Sequence, residues 1–130
     1  MIRVLIAENH AVVRHGLVQI LGDMPELVVA GEATTGQEVL DMVRAETWEV
    51  VVLDISMPDR SGLDVLQELR AERPELAVLV LGMYAEDQYA LHVLKAGAAG
   101  YLTKDHAADE LAQAIRQVVR VGRDASPLLR

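Results

Sequence analysis

Val50-Val51-Val52-Leu53-Asp54 decides the architecture: four aliphatic residues in a row, then a carboxylate. A strand with one wet face alternates apolar and polar residues. One that is apolar throughout is covered on both faces, as a parallel strand between two helical layers is. Residues 4–7 and 77–81 read the same way. Residues 28–30, with a more mixed continuation to residue 33, suit an edge strand. Residues 98–102 form a fifth, weaker candidate at the right interval.

Stripes of helical period lie between these runs. Val13, Leu17, Ile20 and Leu21 form the first, and Val39, Leu40 and Val43 the second. Leu63, Leu66 and Leu69 form the third, stopped by Arg73-Pro74. Ala90, Val93 and Leu94 form the fourth, with Gly97 as its C-cap. Leu111, Ile115, Val118 and Val119 form the last, which Gly122 is expected to end. The βαβαβαβαβα alternation predicts a three-layer α/β/α sandwich around a five-stranded parallel sheet. The expected organisation is one domain over residues 1–122. Residues 123–130, which hold Ser126-Pro127 and no clear period, read as a tail or the start of a linker.

Composition narrows the function. The 130 residues are 52% hydrophobic and 25% charged, the balance of a soluble globular chain with one core. A formal charge of −8 argues against gripping nucleic acid through phosphates and against an anionic membrane surface. Without Cys there are no disulfides and no thiolate metal sites. The longest clean apolar run, residues 76–81, is far too short to span a bilayer. Residues 1–4 enter a strand-like run with no signal-peptide layout, so a cytoplasmic location is expected.

Ligands of an open parallel sheet bind beyond the carboxyl ends of its strands. Glu8, Asn9 and His10 follow the first strand, and Asp54 and Ser56 the third. Gly82, Met83 and Tyr84 follow the fourth, and Thr103, Lys104 and Asp105 the fifth. Two carboxylates, an amide and a lysine therefore converge on one rim. A carboxylate at Asp54, ending a central strand, can act as a nucleophile toward phosphorus. Glu8 adds negative charge for a hard cation such as Mg²⁺. That cation would offset repulsion between an anionic nucleophile and an anionic phosphoryl group. Lys104 offers a positive charge to an oxygen of the acyl phosphate. Taken singly, Asp54 reads better as a loop cap and Lys104 as a surface ion-pair partner; the set at the strand ends favours phosphoryl chemistry.

Three strings now carry a resemblance. They are Ile6-Ala7-Glu8-Asn9-His10, the Asp54-x-x-Met57-Pro58-x-x-x-Gly62 stretch, and Ala96-Gly97-Ala98-Ala99-Gly100-Tyr101-Leu102-Thr103-Lys104-Asp105. Together they resemble the receiver domain of bacterial two-component response regulators, over roughly residues 2–122. His10, Met83-Tyr84, Lys104-Asp105 and the Gly122 to Ser126-Pro127-Leu128 lead-in are similar to the NarL/LuxR-type subgroup. The resemblance implies a flavodoxin-like (βα)5 fold with strand order 2-1-3-4-5. It implies phosphoryl transfer from a sensor histidine kinase to Asp54, a phosphoacceptor role and not that of a turnover enzyme. It implies Mg²⁺ held by Asp54, Asn9 and the Ser56 backbone carbonyl, with Glu8 acting through water. Lys104 would pair with the phosphoryl group, and Tyr101 matches an aromatic residue that changes rotamer on activation. DNA would be reached only through a helix-turn-helix domain beyond this chain.

Two positions depart from that pattern. Asn9 stands where the family usually has Asp, which leaves two carboxylates and should weaken Mg²⁺ binding. Gly82 stands where the family usually has Thr or Ser, whose hydroxyl bonds the phosphoryl oxygen. The expectation there is a vacancy and a lost coupling to Tyr101. The leading reading is a working phosphoacceptor; the alternative is a degenerate receiver acting as a phosphorylation-independent dimerisation or interaction module. A flavin or nucleotide binder on the same fold is disfavoured, because the loop after strand one is acidic and not glycine-rich.

The remaining residues read plainly. His10 lies beside the site and could be taken for a phosphate acceptor, but the preferred reading is that it starts the first helix. His15, His92 and His106 share no ligand spacing. Ser56 either shapes water access or simply turns the chain. Tyr84 is a rim aromatic governing access or a surface cover. Trp48 packs at the base of the sheet, and Asp59 and Arg60 belong to a solvated loop. Helices one and five flank the same edge and could form a homodimer surface.

Overall fold

The computed structural model describes residues 1–83 and 87–125. Its elements run β1 (Ile2–Ala7), α1 (Ala11–Gly22), β2 (Leu27–Ala33), α2 (Gly36–Ala45), β3 (Val50–Asp54), α3 (Gly62–Glu72), β4 (Ala77–Gly82), α4 (Asp87–Lys95), β5 (Gly100–Thr103) and α5 (Lys104–Ala125). All strand pairs are parallel, in the order β2-β1-β3-β4-β5. This is the doubly wound architecture expected from the alternation.

The pleat divides the apolar runs between two cores. Leu5, Ala7, Val51, Leu53, Val78 and Val80 face one way, onto Val39, Leu40 and Val43 of α2, Val65, Leu66 and Leu69 of α3, and Val93 of α4. Val4, Ile6, Val50, Val52, Leu79 and Leu81 face the other, onto Leu17 and Leu21 of α1 and Leu111 and Ile115 of α5. Every residue of β3 is buried, while β2 alternates, as an edge strand with one wet face must. Trp48 is buried where expected, before β3, with its indole N–H donating to the Met42 carbonyl at 3.0 Å. The Arg3 guanidinium lies 4.8 Å from its ring centroid.

Two boundaries differ from expectation. β5 begins at Gly100: the Ala98 N–H still returns to the Val93 carbonyl of α4, and the Ala99 N–H reaches the Val78 carbonyl of β4 just before the strand starts. α5 runs through Gly122 to Ala125. Gly97 takes φ +111° and does end α4, whereas α5 continues through Gly122. Ser126-Pro127 and Tyr84 lie outside the described residues.

Asp59 has a structural task. Its carboxylate accepts the Gly36 N–H at 2.8 Å and the Gln37 N–H at 3.0 Å, the first two donors of α2. The Gly36 bond, then the Gln37 bond, holds its carboxyl below the ordinary value of 3.8. A carboxyl whose pKa is lower in the folded than the unfolded chain stabilises the fold above the unfolded value, and the contribution is lost as pH falls through the folded one. Asp59→Asn should therefore lower the thermal midpoint at pH 7, with the gap from the parent narrowing below pH ~4. Melting curves at pH 7 and pH 3 check this; an equal gap at both would reject it.

Candidate functional site

Strand register assembles the site. Ala7 pairs with Leu53, Asp54 with Leu81, and Gly82 with Thr103. The residues just past these pairs, Glu8 and Lys104, therefore meet Asp54 at one end of the sheet. Glu8 and Asp54 are fully buried, and among the described residues they are the buried charged side chains. The loop after Asp54 is held against α3: the Gly62 N–H donates to the Ile55 carbonyl at 3.1 Å. A Cβ at Gly62 would lie 2.5 Å from the Ile55 Cα, so only glycine permits this approach. Met57 is buried and anchors the same loop.

One ammonium sits among the acids. Lys104 Nζ is 3.0 Å from Asp54 Oδ2 and 3.1 Å from Glu8 Oε1, on a side chain only 11% exposed. Its directed hydrogen bond goes instead to Glu8 Oε2 at 3.3 Å, and His10 Nδ1 lies 3.2 Å from it. Asp54 Oδ1 accepts the Ser56 N–H at 2.8 Å. Glu8 Oε1 and Asp54 Oδ2 are buried and accept no hydrogen bond, although the ammonium is at ion-pair distance from both. Buried carboxylate oxygens without donors are costly unless a cation takes them. Two such oxygens, hard donors beside each other, fit a divalent cation such as Mg²⁺.

The predicted residues are mostly brought together. Glu8, Asp54 and Lys104 converge, and Ser56 touches Asp54 through its backbone. Asn9 lies in the same loop and is exposed. Gly82 leaves no vacancy. A Cβ built there would lie 2.2 Å from the Tyr101 hydroxyl oxygen and 2.7 Å from its ring, so Tyr101 fills the space. Tyr101 also meets Tyr89 edge to face, with centroids 5.7 Å apart.

Sequence reasoning missed two residues. His10 does precede α1, but its side chain makes no capping bond there. Its ring turns into the site, with Nδ1 3.0 Å from Glu8 Oε2 and 3.9 Å from Asp54 Oδ2. Its backbone N–H donates to Glu8 Oε2 at 2.9 Å. Arg14, one turn into α1, donates to the Glu8 carbonyl at 2.9 Å and pairs with Glu32 at 3.2 Å. The available signal was the i, i+4 spacing of His10 and Arg14 on the first turn of the helix that follows Glu8.

Comparison with known proteins gives a consistent result. The sequence profile of the response regulator receiver domain matches residues 4–116. The chain is 38% identical over 127 residues to the response regulator GacA of Pseudomonas aeruginosa, covering 98% of this chain and 59% of that protein. It is 41% identical over 118 residues to the DNA-binding transcriptional activator DevR/DosR of Mycobacterium tuberculosis, covering 91% and 54%. It thus spans little more than half the length of these relatives. Among solved structures, a LuxR-family two-component response regulator from Aurantimonas sp. SI85-9A1 superposes with a TM-score of 0.85 at 29% identity, covering 91% of this chain and 84% of that one. The receiver domain of the response regulator NarL from Mycobacterium tuberculosis gives the same TM-score and identity, covering 92% and 96%.

Proposed function

Because the chain belongs to the response regulator receiver domain family of two-component systems, we propose that Asp54 is its phosphoacceptor and Lys104 its phosphate-pairing cation. The observation that carries this reading is the buried Glu8–Asp54 pair closed by a single ammonium. A carboxylate oxygen of Asp54 attacks the phosphorus of a phosphohistidine on a sensor kinase. The O–P bond forms, the N–P bond breaks, and the electron pair returns to the donor imidazole. Lys104 then follows the charge, leaving the carboxylate for a phosphoryl oxygen. The Ser56 N–H holds Asp54 Oδ1 in place during the exchange.

Mg²⁺, when bound, supplies the charge that lets two anions approach. Asp54, Asn9 and the Ser56 carbonyl would hold it, with Glu8 bonded through water. Asn9 brings a carbonyl oxygen and no charge, which supports weakened affinity. The switch positions are Gly82 and Tyr101, and Tyr84 is assigned to access. A cytoplasmic chain of 1–122 followed by the start of a linker fits relatives of which it covers 59% and 54%. In that setting the output is an attached LuxR-type domain that alone contacts DNA. A homodimer through α1 and α5 is supported by Val12, an α1 aliphatic side chain that is 87% exposed. No helix among the described residues is long and apolar enough to cross a membrane.

Intact-mass spectrometry tests the reading. Incubation with acetyl phosphate and Mg²⁺ should add one phosphoryl group to the parent and none to Asp54→Asn. A folded parent that gains no mass from acetyl phosphate or from a phosphorylated kinase favours the second reading, a phosphorylation-independent interaction module. The filled space at Gly82 is the observation on that side.

A further inference from the structure

We propose that Glu8, His10 and Asp54 form a mixed oxygen–nitrogen centre that binds a borderline transition ion, of the Zn²⁺ or Co²⁺ class, through the His10 imidazole. The proposal rests on the reading of Glu8 and Asp54 as a cation site and adds a nitrogen ligand to it.

The three side chains already surround a cation. Lys104 Nζ lies 3.0 Å from Asp54 Oδ2, 3.1 Å from Glu8 Oε1 and 3.2 Å from His10 Nδ1. Nδ1 faces this space, and a bound metal ion would select the tautomer that presents its lone pair there. The same Nδ1 is 3.0 Å from Glu8 Oε2 and 3.9 Å from Asp54 Oδ2. Ligands around a tetrahedral ion with bonds of about 2.0–2.2 Å stand roughly 3.4 Å apart, and the two separations straddle that value. One ligand atom from each residue can be chosen so that all lie within 4.8 Å of one another. Glu8 Oε1 and Asp54 Oδ2, both on fully buried side chains, accept no hydrogen bond and point into this space. The His10 N–H, bonded to Glu8 Oε2, fixes the backbone from which the ring reaches in.

The donor set also selects the ion. Mg²⁺ prefers oxygen and gains little from imidazole. Borderline divalent ions gain from it, and their affinities rise along the Irving–Williams order. The neutral Asn9 removes one hard anionic ligand while the neighbouring His10 supplies a softer one. Three protein ligands leave a fourth position open, as sites that also take a water or substrate oxygen do. Lys104, on a long flexible stem, is the group that must move aside.

Calorimetric titrations of the protein with Co²⁺ and with Mg²⁺, on the parent, His10→Ala and His10→Gln, test this. The ring is exposed and caps no helix end, so both variants keep the fold, which circular dichroism checks. The Co²⁺-to-Mg²⁺ affinity ratio should fall at least about tenfold in both variants. The Co²⁺-loaded parent should show a paramagnetically shifted, exchangeable imidazole N–H proton that is absent from His10→Ala. An unchanged ratio, an equal loss for both ions, or no such resonance overturns the proposal. A phosphoryl adduct on the parent with Mg²⁺, together with an unchanged ratio, overturns this proposal alone. His10-dependent Co²⁺ binding with no adduct overturns the phosphoacceptor reading alone.

Discussion

Lys104→Met should destabilise the metal-free protein by about 3 kcal/mol, near the low end of the cost of breaking a buried ion pair. The physical reason is the ratio of charges. Glu8 and Asp54 are fully buried, and the Lys104 ammonium is within 3.1 Å of an oxygen on each. Without it two carboxylates face each other with two oxygens that accept no hydrogen bond. The low end of the range applies because the site opens toward solvent at His10, whose side chain is 57% exposed. Removing one carboxylate should reverse most of the loss. Lys104→Met/Asp54→Asn should be more stable than Lys104→Met alone, which a double-mutant cycle in urea reads directly. Saturating Mg²⁺ should also stabilise Lys104→Met, because a ligand that binds only the folded state shifts the equilibrium by mass action. A Lys104→Met midpoint equal to that of the parent would show that the ammonium does not hold the acids together.

The second large effect is expected at Gly82. Gly82→Thr should cost about 2 kcal/mol, within the usual range for overpacking a filled site. Its Cβ would lie 2.2 Å from the Tyr101 hydroxyl oxygen and 2.7 Å from two ring carbons, separations that no side chain tolerates. The Tyr101 ring must then leave its place against Tyr89. Truncating the tyrosine removes the conflict. In the Tyr101→Ala background, Gly82→Thr should be nearly neutral, so the two substitutions couple strongly. The Tyr89–Tyr101 contact gives a second readout: their near-ultraviolet dichroism should change in Gly82→Thr. Additive effects would mean that the ring does not depend on the missing side chain.

The sheet was legible because its evidence is local. A continuous run such as Val50-Val51-Val52-Leu53 admits little besides a strand covered on both faces, and the strand ends follow from where polarity begins. The meeting of Glu8, Asp54 and Lys104 was legible for the same reason, since register alone carries residues past Ala7, Leu53 and Thr103 to one rim. What escaped depends on side-chain torsions. Whether His10 points into the site or out to water is decided by one rotatable bond at a helix start, not by its place in the chain. The occupant of the space at Gly82 depends on the rotamer of Tyr101, on a neighbouring strand. Glycine misled at Gly122 and informed at Gly97, because it ends a helix only where the backbone takes a left-handed turn, as Gly97 does.

Direct mapping of the acceptor atom tests the central assignment. An aspartyl phosphate is reduced by borohydride to an alcohol with loss of phosphate, whereas a phosphohistidine is not. The parent, phosphorylated in Mg²⁺, reduced and digested, should carry the reduced residue at Asp54 and nowhere else. Reduction at Glu8, or a phosphoryl group that survives borohydride on His10, would contradict the assignment of Asp54 as the acceptor.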